Sequence, residues 1–239
     1  MDSRTEQLQQ NLAAVVERIQ RACESAGRTE QPELIVVTKY FPAADVRRLH
    51  SLGVTQLGEN KDQEAAEKAA ETADLQLDWH FIGQLQSNKA KSVARYASAV
   101  HSVDRLKLVG ALEKAVTRAQ AEGHRSGELD CLVQVDLRTP TPEDARGGAA
   151  PGQVPAIAEA IAAADGLHLA GLMAVAPLEE NPEAAFQRLV ELSEQLRTEH
   201  PEATALSAGM SQDLEQAVAC GATHLRIGRD VLGERPYAR

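Results

Sequence analysis

Residues 34–39 read Leu34-Ile35-Val36-Val37-Thr38-Lys39, a short apolar run that ends in a lysine. A turn signal, Phe41-Pro42, follows directly. A continuous apolar run of this length, bounded by a turn, is typical of a parallel strand that is buried on both faces. Lys39 would then stand at the carboxyl end of a strand, where α/β barrels carry their functional groups.

An amine at the end of such a strand has two interpretations. Burial favours the neutral form of a lysine, and a neutral amine can attack an aldehyde. The alternative is a solvated lysine that only ends the strand. The position of Lys39 alone does not decide between the two.

The rest of the chain alternates between short apolar runs and longer, alanine-rich helical patterns. An amphipathic helix comes first, with apolar residues at helical spacing up to Gly27, namely Leu8, Leu12, Val15, Val16 and Ile19. The predicted strands cover residues 34–39, 56–59, 79–83, 99–103, 131–137, 169–175, 205–209 and 224–228. The predicted helices between them cover residues 43–52, 61–71, 88–96, 105–122, 154–163, 182–199 and 212–219.

Eight strands separated by helices, in a chain of 239 residues, predict an α/β fold: a single (β/α)8 TIM barrel with an extra N-terminal helix. A doubly wound open sheet is the alternative fold. The loose segment 138–155 is too short to separate two domains, so residues 1–239 are predicted to form one domain.

Composition limits the possible partners. The chain has 25 basic and 35 acidic residues, and a net charge of −10 disfavours binding to nucleic acid or to an anionic membrane. Three scattered cysteines lack the spacing of zinc or redox sites, so no metal is expected. The polar N-terminus and the absence of a long apolar stretch predict a cytoplasmic protein. We also expect a monomer.

Strand eight places an arginine in the predicted barrel mouth. Leu225 and Ile227 share one face of the strand, so Arg226 faces the other way, into the barrel. A guanidinium there needs an anion or a strong acceptor, because an unpaired buried charge is costly. Asp136, at the end of strand five, is the alternative partner, which would make Arg226 merely structural.

Two glycine-containing turns, after strands seven and eight, suit a phosphate group. Gly209-Met210-Ser211 and Gly228 let backbone N–H groups approach an anion, and barrels commonly bind phosphate in these two loops. Together with Lys39 and Arg226 they indicate a ligand that carries a phosphate at one end and an aldehyde at the other. Pyridoxal 5′-phosphate (PLP) fits that description.

Several longer blocks make the chain similar to a known family. In order and spacing they resemble the pyridoxal-phosphate homeostasis proteins, the YggS/PROSC family, from about residue 34 to residue 237. The block beginning at Trp79 is the most specific of them. The blocks are VVTKYFP from Val36, LGENKDQEA from Leu57, WHFIGQLQSNK from Trp79, HSVDRLKL from His101, LAGLMAVAP from Leu169 and LSAGMSQDLEQAVACGATHLRIGRDVLGERPY from Leu206.

The resemblance implies a barrel related to the N-terminal domain of alanine racemase, with PLP held as a Schiff base on Lys39. It also implies roles for other residues: a phosphate cradle of Ser207, Ser211, Gly228 and the backbone N–H of Arg229, the racemase-type arginine Arg226 beside the cofactor, and Asn60 at the mouth near the lysine. Three positions depart from the family pattern, and the first is Ala208, which stands where Met or Leu is common. Arg229 stands where Thr or Ser is usual, and Arg146 where Lys is frequent, so their side-chain roles stay open.

The resemblance implies two classes of function. The first is a carrier that holds PLP in intracellular homeostasis and delivers it to PLP-requiring apo-enzymes. The second is an amino-acid racemase or decarboxylase. Racemisation needs a second proton donor, which the alanine racemase group takes from a further domain that this sequence lacks. An arginine near the pyridine nitrogen would also weaken the electron sink, so we expect no efficient turnover. A Schiff-base aldolase for phosphosugars fits the lysine and the cradle but not the sequence blocks.

Four further ionisable residues have simpler expectations. Glu59 and Glu64 are predicted to be solvated charges instead of an acid/base pair. His80 and His101 are predicted to be hydrogen-bonded histidines of the barrel instead of rings that stack on the cofactor.

Overall fold

The computed structural model describes residues 2–138 and 147–234. Its centre is a closed barrel of eight parallel strands in chain order. β1 pairs with both β2 and β8, since Val36 lies opposite Leu57 on one side and Ile227 on the other, and this closes the barrel. The predicted (β/α)8 barrel is confirmed. The strands are β1 Glu33–Val37, β2 Gln56–Glu59, β3 Asp78–Phe81, β4 Ala97–Val103, β5 Leu129–Val135, β6 Leu167–Ala174, β7 Ala205–Ser207 and β8 His224–Ile227.

Helices surround the barrel, and the apolar core fills the space between the two layers. Phe81, Phe186 and Leu108 are among its fully buried side chains, and burial of each such side chain stabilises the fold by about 1.5–3 kcal/mol. No helix within the described residues is long and apolar enough to cross a membrane. The helices are α1 Ser3–Ser25, α2 Ala43–Ser51, α3 Asp62–Glu71, α4 Ala90–Tyr96, α5 Leu106–Ala121, α6 Val154–Ala162, α7 Pro182–Glu199, α8 Leu214–Ala219 and α9 Arg229–Leu232.

The extra N-terminal helix, α1, is present and packs on the outside of the barrel. Its buried face includes Leu8, Val15 and Ile19, as the helical spacing predicts, whereas Val16 is exposed. Arg18 pairs with Glu215 of α8 at 2.5 Å and with Asp230 of α9 at 3.1 Å. The helix therefore supports the elements that follow β7 and β8.

Most strands stop one or two residues before the carboxyl end that their apolar pattern predicts. β1 ends at Val37, although the backbone N–H of Thr38 still donates to the carbonyl of Gly58 at 3.0 Å. The N–H of Phe41 then donates to the carbonyl of Thr38, which closes the predicted turn. The residues beyond the last strand pairs form the loops of the barrel mouth.

Candidate functional site

A cavity of about 490 Å³ opens at the carboxyl ends of the strands. It has a partly apolar wall that includes Val37, Phe41 and Met210. The size suits a small ligand, and polar groups on an otherwise apolar wall are typical of a binding site. Five of the predicted site residues line it, namely Lys39, Ser211, Arg226, Gly228 and Arg229.

The backbone is strained directly after Lys39. Tyr40 has a φ of +72°, and it is the one non-glycine residue with a positive φ among the described residues. This left-handed conformation costs an L-residue roughly 1–2 kcal/mol. The N–H of Tyr40 donates to Oε1 of Glu64 at 2.6 Å, so a carboxylate from α3 holds the strained peptide.

A buried lysine links this turn to β2. Nζ of Lys68 donates to the carbonyl of Thr38 at 2.8 Å, to Oε1 of Glu59 at 2.6 Å and to Oε1 of Glu64 at 2.7 Å. The Thr38 hydroxyl also donates to Oε1 of Glu59, at 2.6 Å. We call these four residues, Thr38, Glu59, Glu64 and Lys68, the ionic network. It fixes the residues on both sides of Lys39.

The expectation that Glu59 and Glu64 are solvated is wrong. The Glu59 side chain is buried, the Glu64 side chain is about three-quarters buried, and both are paired with Lys68. Burial raises the pKa of Glu59 above its ordinary value, against the opposing charge of Lys68. The sequence does carry a signal for the pairing, because Glu64 and Lys68 are four residues apart on one helix.

Arg226 points into the barrel, as its strand parity predicts, and it is buried. One terminal nitrogen of its guanidinium donates to Oγ of Ser207 at 2.6 Å, and the other donates to the carbonyl of Ala174 at 2.8 Å. Burial lowers the pKa of Arg226 to about 10, while the charge of Asp213 opposes that change. The guanidinium therefore borders the cavity with two neutral acceptors behind it.

Asp136, the alternative partner for Arg226, pairs elsewhere. Its carboxylate accepts from Arg138 at 2.6 Å, and this contact holds the pKa of Asp136 below its ordinary value. No carboxylate within the described residues forms an ion pair with Arg226. A buried cation without a paired anion favours an acceptor or an anion in the cavity beside it.

His80 and His101 lie inside the barrel and are hydrogen-bonded, as predicted. Nδ1 of His80 is 2.9 Å from Nε2 of His101, and Nδ1 of His101 is 2.9 Å from Oγ of Ser207. Burial lowers the pKa of His80 to about 4 and lowers that of His101 well below its ordinary value. Both rings are therefore neutral near pH 7.

The two turns predicted to hold a phosphate lie on one side of the cavity. The backbone N–H of Met210 donates to Oδ1 of Asp213 at 2.6 Å, and Arg18 of α1 donates to the carbonyl of Ser211 at 2.8 Å. At Gly228 a Cβ atom would lie 3.1 Å from the carbonyl oxygen of Val37, so the glycine permits close contact with β1. Hydrogen bonds therefore fix the backbone of the turn after β7, and Gly228 lets the turn after β8 lie close to β1.

Ser207 and Asn60 occupy different positions from the other predicted site residues. Ser207 is fully buried below Arg226 and is not part of the cavity wall. Asn60 is also absent from the wall, and its buried Oδ1 has no hydrogen-bond partner within the described residues. At Gly83 a Cβ atom would lie 2.2 Å from the Asn60 carbonyl oxygen, so only glycine fits beside this asparagine.

Comparisons with known proteins identify the family. Residues 10–236 match the family described as alanine racemase, N-terminal domain. The chain is also 42% identical over 246 residues to a pyridoxal phosphate homeostasis protein of Mycobacterium bovis, with 97% of this chain and 94% of that protein covered. The chain belongs to the family of pyridoxal phosphate homeostasis proteins.

Two further comparisons support this assignment to the homeostasis family. A pyridoxal phosphate homeostasis protein of Pseudomonas aeruginosa is 42% identical over 234 residues, which covers 95% of this chain and 96% of that protein. A solved structure of PipY from Synechococcus elongatus with PLP bound is 31% identical, with a TM-score of 0.77, and covers 95% of this chain and all of that chain. The family resemblance predicted from the sequence blocks is therefore confirmed.

Two sets of supporting residues in this homeostasis-family chain were not predicted from the sequence. Lys68 was not singled out, although it organises the turn that carries Lys39. The partners of Arg226, Ser207 and Ala174, come from β7 and β6, and strand parity does not reveal cross-strand partners. Arg146 and Tyr237 lie outside the described residues. Among the described residues, no cluster of three or more His, Cys, Asp or Glu side chains is suited to a metal ion.

Proposed function

We propose that this chain, residues 1–239 as one domain, binds PLP in the mouth cavity and acts in intracellular PLP homeostasis as a cofactor carrier. One observation carries the proposal: an amine and a guanidinium line the same cavity as two fixed, glycine-containing turns. The names of the relatives and the PLP bound to PipY support the choice of ligand.

The residues of the cavity fit PLP chemically. When bound, PLP would supply an aldehyde that condenses reversibly with amines. Lys39 would form the Schiff base with that aldehyde, and Arg226 would stand beside the ring nitrogen. The unpartnered Oδ1 of Asn60 would accept a hydrogen bond near the lysine. The phosphate would be held by Ser211, Gly228 and the backbone N–H of Arg229, and the part of Ser207 in that cradle stays a prediction.

The carrier function is favoured over a racemase or a decarboxylase by the chemistry of the cavity wall. Proton transfer in those enzymes needs a positioned acid or base besides the lysine. Neither a tyrosine nor a histidine belongs to the described wall. Of its two carboxylates, Glu180 pairs with Arg188 and Asp213 accepts from the backbone N–H of Met210. The charge of Arg226 would also disfavour protonation of the ring nitrogen, and that protonation makes PLP a strong electron sink.

Borohydride reduction of the loaded protein tests the Schiff base. The visible absorbance of the bound cofactor should disappear on reduction, and the covalent adduct should map to a peptide that contains Lys39. Lys39→Met should abolish the adduct. Lys61→Met is a matched control, because Lys61 lies near the same turn, over the Tyr40 ring at 5.3 Å. An adduct at another lysine of the wild-type protein would refute the assignment.

Transfer experiments test the carrier function. Loaded protein mixed with a PLP-requiring apo-enzyme should restore its activity, in the presence of a scavenger that consumes free PLP. Incubation with D- and L-amino acids should give neither racemisation nor decarboxylation at ordinary enzyme rates of about 1–10³ per second. Rapid loss of optical activity from any one amino acid would support the racemase instead. A monomeric state and a cytoplasmic location stay predictions.

A further inference from the structure

A row of hydrogen bonds crosses the barrel from Arg226 to the opposite end. From the guanidinium it passes through Ser207, His101 and His80. Nε2 of His80 is 2.6 Å from Oε1 of Gln56 in β2. Nε2 of Gln56 then donates to Oδ2 of Asp78 at 3.0 Å, and Asp78 is exposed at the start of β3. We call these six residues the barrel row.

The first member of the barrel row fixes one hydrogen bond. A guanidinium can only donate, so Oγ of Ser207 accepts from Arg226. That oxygen keeps a second lone pair and one proton, so it can either donate to Nδ1 of His101 or accept from it. If Ser207 donates, the neutral His101 ring carries its proton on Nε2 and donates to Nδ1 of His80. His80 then donates from Nε2 to the Gln56 carbonyl oxygen.

The other end of the row decides between the two directions. A carboxylate only accepts, so the amide nitrogen of Gln56 must face Asp78 and its oxygen must face His80. That orientation makes Nε2 of His80 a donor. Because both rings are neutral, Nδ1 of His80 accepts from Nε2 of His101, and Nδ1 of His101 accepts from Ser207. The Asp78 end therefore assigns the same tautomer, with the proton on Nε2, to both histidines, and the acceptor role of Ser207 toward Arg226 is compatible with it.

The surroundings of the two rings keep them neutral. Burial is the main cause that lowers both pKa values. His224 adds to the effect at both rings, and His80 and Arg226 add to it at His101, whereas Glu33, Asp78 and Asp130 oppose it at His80. The ring centroid of His224 is 6.5 Å from that of His80 and 6.1 Å from that of His101. A protonated His101 could not accept from Ser207, so the row requires the neutral rings.

We propose that His101 and His80 are positioning residues of the candidate cofactor site, and that they act through Ser207 to hold Arg226. The hydroxyl proton of Ser207 is committed to His101, so Ser207 presents a lone pair to the guanidinium. Arg226 is thereby fixed against the barrel wall, and its other N–H donors are left for a ligand acceptor in the cavity. Ser207 then belongs to the support of Arg226 and does not donate to a phosphate. This inference rests on the proposed function only for the identity of the ligand.

The first experiment uses the wild-type chain without added ligand. Nitrogen-15 NMR of the histidine rings should report Nε2–H tautomers for His80 and His101, unchanged between about pH 8 and pH 5. The exposed ring of His124 serves as the internal reference in the same spectra. An Nδ1–H tautomer at either buried ring would overturn the proposal. This result does not depend on whether the chain binds PLP, so it separates the inference from the proposed function.

The second experiment compares substitutions that keep or remove the acceptor for Ser207. His101→Asn retains an acceptor near the position of Nδ1, whereas His101→Leu does not. The dissociation constant of PLP should rise about tenfold in His101→Leu, as expected for one weakened charge-assisted hydrogen bond, and by less than about threefold in His101→Asn. Ser207→Ala should resemble His101→Leu, and His124→Leu should match the wild type.

Binding by His101→Leu that is as tight as in the wild type would overturn the proposal, and so would equal losses in His101→Asn and His101→Leu. Circular dichroism of each variant shows whether it is folded. If His101→Leu does not fold, Ser207→Ala and the wild-type tautomers still decide the question. Wild-type protein that fails to bind PLP would refute the proposed function and leave the tautomer test standing.

Discussion

Two buried networks support residues of the mouth cavity and are built from different chemistry. The ionic network holds the Lys39 turn with a lysine and two carboxylates, between β1, β2 and α3. The barrel row holds Arg226 with a hydroxyl and two neutral imidazoles, inside the barrel. The ionic network fixes the backbone on both sides of Lys39, and the barrel row fixes the guanidinium of Arg226, which lines the cavity.

The two networks differ in the kind of change that disrupts them. A buried ion pair is most damaging when one partner is removed, because the remaining charge has lost both water and its counter-ion. The groups that support Arg226 in the barrel row, Ser207, His101 and His80, carry no charge. Their hydrogen bonds are broken when a ring takes up a proton that leaves it unable to accept. The Lys39 side should therefore be sensitive to substitution, and the Arg226 side to acid.

The largest expected effect is the loss of the Lys68 charge. Lys68→Met leaves Glu59 and Glu64 buried without their cation, and it should destabilise the fold by about 3–5 kcal/mol. Urea denaturation measures this change. The exposed Lys91 provides the control, since Lys91→Met should stay within about 0.5 kcal/mol of the wild type. Similar values for the two variants would show that the ionic network contributes little.

Low pH should disrupt the barrel row. The pKa of His80 lies near 4 in the folded protein, below its ordinary value of 6.5, so between these values the unfolded chain binds a proton that the folded chain does not. Stability should therefore fall as the pH drops from 6.5 to about 4, by roughly 3 kcal/mol for this ring at about 1.4 kcal/mol per pKa unit.

Denaturation of wild type and His80→Gln at a series of pH values isolates that contribution. Glu59 has a raised pKa and changes stability in the opposite sense, but it is common to both proteins and cancels in the difference. His80→Gln should have the flatter dependence on pH in this range. Parallel curves for the two proteins would mean that His80 is not held neutral.

The third effect concerns the affinity for PLP when Arg226, the first residue of the barrel row, is replaced. Arg226→Ala should weaken PLP binding by about 1.5–3 kcal/mol, the value of a hydrogen bond to a charged group. Arg229→Ala should cost much less, because only the backbone of Arg229 is expected to contact the ligand. Equilibrium dialysis of the two variants measures the difference. Equal losses would show that the side chain of Arg229 also holds the ligand.

The two networks differ in how much of them the sequence predicts. The pattern of apolar residues predicted all eight strands and the direction of the Arg226 side chain. Successive side chains of a strand point to opposite faces, so the apolar neighbours of Arg226 indicate which face it occupies. The position of Lys39 at a strand end was predicted in the same way. These features depend on neighbours in the chain.

The supports behind those residues could not be predicted by the same reasoning. Ser207 and His101 are 106 residues apart, and only closure of the barrel brings them to 2.9 Å. The prediction for Glu59 is wrong for a related reason. A charged side chain at a strand end favours a solvated position, whereas Lys68 of α3, the helix that follows β2, pairs with Glu59 and allows it to be buried. Local sequence patterns assign these polar groups to the surface. In the folded chain they are buried, because partners on other strands or on a following helix satisfy their hydrogen bonds.

The smallest expected effect tests how firmly the ionic network holds the strained turn. Tyr40 adopts a φ of +72°, and its N–H is held by Glu64. Tyr40→Ala and Tyr40→Gly both remove the ring, including its contact with Lys61, but only glycine adopts this backbone conformation without cost. The glycine variant should therefore be the more stable of the two, by about 1 kcal/mol in urea denaturation. Equal stabilities would mean that the turn relaxes once the ring is gone, and that Glu64 does not fix the backbone beside Lys39.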